Sequence, residues 1–98
     1  MYERSLPCWW VEWPPTASPS MPTICPDKTW NEFLKNMGRW VYIWLFNNNH
    51  GWFVYTEIGR LSEEEGDFYV RGCFFTNNPR VGTTLRVHAK HIACYIYY

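Results

Sequence analysis

Six of the seven prolines in this 98-residue chain fall at or before Pro26. Proline lacks the backbone donor that helices and sheet ladders use, and it pushes the preceding residue out of helical geometry. Residues 1–26 are therefore expected to be extended or irregular, with Thr16–Ser20 as a linker. Regular structure is confined to residues 27–98. The same N-terminal block carries Trp9, Trp10 and Trp13. Three indoles so close together are poorly served by water, so the arm is expected to fold back onto the body.

Residues 27–38 read as a short helix. Thr29 followed by Glu32 is a capping-box pair, with Asp27 as the alternative cap. Trp30, Phe33, Leu34 and Met37 recur at helical spacing and form one apolar stripe, and Gly38 is placed to stop the helix. From residue 39 onward the pattern is β. Trp40–Phe46 is dense in β-branched and aromatic residues. Asn47–Gly51 then supplies residues that tolerate the positive φ of a hairpin turn. Further strands are expected over Trp52–Ile58, Phe68–Phe75, Thr83–Val87 and Ile92–Tyr97. The turns between them are Ser62–Asp67 and Asn77–Pro79, and His88–His91 forms a single 3₁₀ turn.

Five short antiparallel strands at this spacing suggest a small barrel or a strongly bent sheet. With a 3₁₀ turn before the last strand, residues 39–98 resemble an SH3-like barrel. The resemblance concerns topology alone and brings no functional residues with it. An OB-like fold and an open α+β sheet are the competing architectures. The length fits one domain over residues 1–98, mainly β, with the Trp/Pro-rich arm packed on it.

Aromatic residues make up 20% of the chain, more ring surface than so small an interior is expected to hold. Along the first strand, Val41, Ile43 and Leu45 alternate with Trp40, Tyr42, Trp44 and Phe46. The aliphatic set makes a natural core face. Trp52, Val54 and Ile58 are expected to share it, and Phe53 and Tyr55 to join the outer rings. The arm and helix cover part of that outer face, and the remaining rings are expected to meet a partner. The expected contacts are Trp40, Tyr42, Trp44, Phe53 and Tyr55, with Arg80, Arg86 and Lys90 as a charged rim. The expected partner is another protein, and a second copy of the chain is the next candidate.

The formal net charge is zero, which removes any global field for nucleic acid or anionic membrane. All nine acidic residues nonetheless lie at or before Asp67, whereas residues 68–98 carry Arg71, Arg80, Arg86 and Lys90. With Tyr95 and Tyr97, these bases could form a stacking surface for single-stranded nucleic acid, the alternative reading. The acidic turn Glu63–Asp67 suggests a different role. It could enter the basic groove of a host nucleic-acid-handling protein, as virus-encoded inhibitors do, and occlude it.

Chemistry is sparse. No phosphate-binding glycine loop and no nucleophile signature is present, so no catalysis and no cofactor is expected. His88, His91 and Cys94, with Cys73, are the one set of potential zinc donors, but no C-x-x-C pair supports them and no metal is expected. No apolar run reaches the ~20 residues of a membrane helix, and no secretory leader is visible. The chain is thus expected to be cytoplasmic, with its four cysteines reduced.

Overall fold

A computed structural model describes Cys8, residues 17–76 and residues 82–98. Trp9, Trp10, Trp13, Arg80 and the Asn77–Pro79 turn lie outside the described residues.

A short helix, α1 (Trp30–Lys35), precedes five strands: β1 (Val41–Leu45), β2 (His50–Arg60), β3 (Phe68–Phe75), β4 (Gly82–His88) and β5 (Ile92–Tyr97). A 3₁₀ turn, Ala89–His91, leads into β5. All the strand pairs are antiparallel, in the order β4-β3-β2-β1-β5. Because β4 and β5 end the order as separate edges, the sheet is open, and the expected closure into a barrel is corrected accordingly.

Local chemistry accounts for the elements. Thr29 is extended, and its Oγ1 accepts from the Glu32 N–H at 3.2 Å. The Trp30 N–H, another donor without a helical partner, is taken by the Glu65 carboxylate at 2.6 Å. The helix ends sooner than the sequence pattern implies. Asn36 caps it, and Gly38 follows at a φ of +90°, a conformation open to glycine at little cost. In the β1–β2 hairpin, Asn48 takes a φ of +73° and Asn49 N–H donates to Asn47 Oδ1 at 3.0 Å.

One irregularity sets which side chains share a face. In the β2–β3 ladder, Tyr55 opposes Gly72 while Glu57 opposes Arg71, so Thr56 is the extra residue of a β-bulge. Gly72 is required there, because a Cβ would collide with the Val54 carbonyl and the Tyr55 Cα. Before the bulge, Val41 opposes Phe53 and Tyr42 opposes Trp52. Phe53 and Tyr55 therefore join Val41 and Ile43, not the outer rings as expected. The bulge then shifts the phase, so Ile58 packs on that same core while Trp52 and Val54 lie on the opposite side.

Two hydrophobic layers result. The first lies under α1, where Phe33 inserts among Tyr55, Phe68 and Tyr95 with centroid separations of 5.8, 5.2 and 4.8 Å. Leu34 and Met37 stay exposed, because a helix of six residues presents too short a face to bury the whole stripe. The second layer holds Tyr42, Trp52, Val54, Cys73 and Phe75 with Cys8, and Trp40 and Trp44 pack against it.

The cysteines are not free thiols. Cys8 is bonded to Cys73 on β3, and Cys25 to Cys94 on β5. This corrects the expectation of reduced cysteines, and the inference of a cytoplasmic location loses that support. Among the described residues, no helix is long and apolar enough to cross a membrane.

Candidate binding surface

The second layer is built from rings in edge-on and tilted contact. Trp44 meets Tyr42 at 4.8 Å, Tyr42 meets Trp52 at 5.1 Å, and Trp52 meets Trp40 at 6.4 Å and Tyr98 at 6.0 Å. Trp40 also packs edge-on against Phe75 at 5.5 Å. Such contacts add to the apolar burial itself. The Tyr42 hydroxyl is hydrogen-bonded to His50 Nδ1 at 2.6 Å. Among the described residues the buried Trp52 Nε1–H has no hydrogen-bond partner, a costly omission on a packed face.

The expected contact residues divide. Tyr42, Phe53 and Tyr55 are at most 1% exposed, so a partner cannot reach them. Trp40 and Trp44 are half-buried and form the open margin of the layer. Tyr98, 75% exposed, continues that margin: its backbone N–H donates to the Trp40 carbonyl at 3.0 Å. Beyond Trp44 lies a cleft of about 290 Å³, lined in part by Met21, Phe46 and His50. Met21 and Phe46 are 55% and 69% exposed. Sequence pattern places Phe46 in the same alternation as Trp44, whereas Tyr98, just beyond the far end of β5, shares no strand with Trp40 and carries no such signal. Met21 gives no such signal, because it lies in a segment with no regular period.

Of the described members of the expected charged rim, Arg86 lies away from these rings. Arg86 lies on edge strand β4 and stacks over the Tyr69 ring at 4.0 Å, with β2 and β3 between it and β1. Beside it, Glu57 accepts from Tyr69 Oη at 2.9 Å and from Arg71 at 3.1 Å. These bonds, the tyrosine's first, hold the Glu57 carboxyl below its ordinary range, and the same bond raises the Tyr69 phenol. Lys90 is exposed in the 3₁₀ turn, where its N–H donates to His88 Nδ1 at 3.0 Å.

No protein-family model, curated protein or solved structure matches the chain.

The acidic turn between β2 and β3 is partly structural. Glu65 caps α1, and Asp67 meets His88 Nε2 at 2.8 Å. Hydrogen bonds from Ser62 and then His88 hold the Asp67 carboxyl below its usual value. Glu63 and Glu64 stay exposed. Of the potential zinc donors, Cys73 and Cys94 are in disulfides and His88 is engaged by Asp67. Among the described residues, no group of three or more His, Cys, Asp or Glu side chains could hold a metal.

Proposed function

We propose that the chain is a non-catalytic binding protein that holds a protein partner against the Trp40–Trp44–Tyr98 margin. One observation carries this reading: half-buried tryptophans border the exposed rings of Phe46 and Tyr98 and the Met21 side chain. Tryptophan and tyrosine at the edge of a packed apolar layer are the side chains that dominate protein interfaces. The mode of action is occlusion of the partner's surface. The exposed Glu63 and Glu64 support an extension of it to a basic, nucleic-acid-handling protein, the role of a viral inhibitor. The strand order and the 3₁₀ turn before β5 support an SH3-like reading of residues 39–98, as an opened form of that barrel.

Single-stranded nucleic acid is the weaker reading. Tyr95 is buried, Tyr97 packs against the first core, and Arg71 is paired with Glu57. The test is capture from extract of the native source with wild type, Trp44→Ser and Tyr98→Ser, followed by mass spectrometry. A protein retained by wild type and reduced about tenfold or more by either substitution supports the reading, since a central interface aromatic contributes about 2 kcal/mol or more. Equal retention by all three overturns it. Salt-sensitive retention of single-stranded oligonucleotide with no protein favours the alternative.

A further inference from the structure

The segment that leads into α1 is fastened along β5. Cys25 is bonded to Cys94, the Lys28 ammonium donates to the Ile92 carbonyl at 2.6 Å, and the Tyr95 hydroxyl donates to the Asp27 carbonyl at 2.6 Å. These bonds hold the segment against the strand, yet its side chains do not close over it. Pro22 and Ile24, with Ile96 of β5, wall a groove of about 650 Å³ that Asp27, Thr29 and Glu32 also line. Small-molecule sites typically enclose about 300–1,000 Å³. One wall is held covalently through Cys25 and stiffened by the fixed φ of Pro22 and Pro26, so the groove exists before any ligand arrives.

Apolar walls here carry charge of one sign. Ile24 is 85% and Ile96 37% exposed, so the walls are open to solvent. Asp27 and Glu32 are the ionic side chains of the lining. Lys35 meets Glu32 at 3.2 Å, and the Asp27 carboxylate has no cation against it among the described residues. Nearby cations are committed elsewhere. Lys28 is held by the Ile92 carbonyl, and Arg39 lies over the Tyr97 ring and donates to Asn36 Oδ1 and the Tyr98 carbonyl at 2.7 Å each. The phenol protons are committed too. Tyr95 donates to Asp27, and because Tyr55 gives its own proton to the Phe33 carbonyl, Tyr97 donates to Tyr55. Burial, then the charges of Glu32 and Asp27, push the Tyr95 phenol up to about 12, so the field of both carboxylates meets at a side chain that lines the groove.

We propose that this groove binds a small organic cation, an aliphatic primary ammonium whose chain lies on Pro22, Ile24 and Ile96 and whose head meets Asp27. Glu32 adds a second negative charge to the field at the head. Every contact is made by side chains, so the ligand needs no backbone group of β5. A neutral molecule of the same shape gains the walls alone, and an anion is repelled. Neither Trp40, Trp44 nor Tyr98 lines this groove, so the site is separate from the tryptophan margin.

The test is titration of the ¹⁵N-labelled, oxidised full chain with hexylammonium chloride. Hexanol, which has the same chain without the charge, and sodium hexanoate, which has the opposite charge, are the controls. Hexylammonium should shift the Ile24, Asp27 and Ile96 amides saturably. Hexanol should bind more weakly, and hexanoate should leave these amides still. Asp27→Asn should weaken hexylammonium binding about two- to five-fold, the scale of one exposed ion pair. Ile24→Ser should weaken it about three-fold through lost apolar contact. Ile24 is 85% exposed and the Asp27 carboxylate has no cation against it, so thermal unfolding of both variants should match wild type. Groove amides that stay still overturn the proposal, as does equal binding of hexanol and hexylammonium or an unchanged affinity in either variant. Saturable shifts confined to Trp40, Trp44 and Tyr98 assign the ammonium to the tryptophan margin and overturn it as well.

Discussion

The two faces of the sheet use the same strands and are completed in different ways. On the face under α1, each buried phenol has a partner. Tyr55 donates to the Phe33 carbonyl and pairs with Tyr97 at 2.7 Å, and Tyr95 donates to the Asp27 carbonyl at 2.6 Å. The rings are sealed, and the hydroxyls fix the helix and its leading segment to the strands. On the other face, Cys8 reaches the layer through a covalent bond, Trp52 Nε1 has no partner among the described residues, and two tryptophans stay half open. A small chain can bury many rings when a helix supplies the cover. A face closed by a cross-link keeps a margin, and that margin is where the proposed partner would sit.

That contrast can be broken by measurement. Phe33→Ala removes the one helix side chain buried under the first face and should cost about 3–5 kcal/mol in urea unfolding. A loss near that of an exposed site would mean the helix is only an ornament on the sheet. Replacing Cys8 and Cys73 together by serine should cost about 2–4 kcal/mol and alter tryptophan fluorescence, since the bond closes onto the Trp52 layer. Tyr55→Phe deletes a hydroxyl with two partners and should cost about 1–2 kcal/mol by the same assay.

The phenols of the first face also give a pH signature. Burial pushes Tyr55 and Tyr95 up to about 12, and burial with the Tyr55 bond raises Tyr97 further. Unfolded tyrosine ionises near pH ~10. Above that, the native state holds protons that the unfolded state has released, so stability falls as pH rises. The contribution is complete below pH ~10 and is lost on the way to about 12. Urea midpoints that stay flat over this range would show that the phenols are not sequestered. The smallest effect is expected on the open margin, where Trp44→Ala should cost about 1 kcal/mol of stability while it reduces the proposed partner capture about tenfold or more. A loss as large as that of Phe33→Ala would make Trp44 a core residue and remove the contrast.

Much of the strand layout was legible. The β-branched and aromatic runs place β3 and β5 as found, and the Asn-rich loop and Thr29 cap act as their side chains imply. The facing of β2 was not legible. A strict two-residue alternation puts Trp52, Val54 and Ile58 together, and the inserted Thr56 separates them. Nothing in a row of valine, tyrosine and threonine announces that insertion; Gly72, the residue that makes room for it, lies on another strand. The site is affected by the same cause, since strict parity puts Phe53 and Tyr55 with the outer rings. The disulfides were hidden differently. Four cysteines allow three pairings, and local sequence carries no trace of which thiols the sheet brings together.

The order of the bridges along the chain sets a timetable for its manufacture. Cys8 and Cys25 each wait for a partner on β3 or β5, and β1 waits for β5 to pair along its free side. During synthesis from the N-terminus, Cys8 has no mate until β3 is made, and Cys25 has none until β5 is made. The native bond of Cys25 must therefore wait for β5, and a nascent chain stalled before Cys94 leaves Cys25 without its mate.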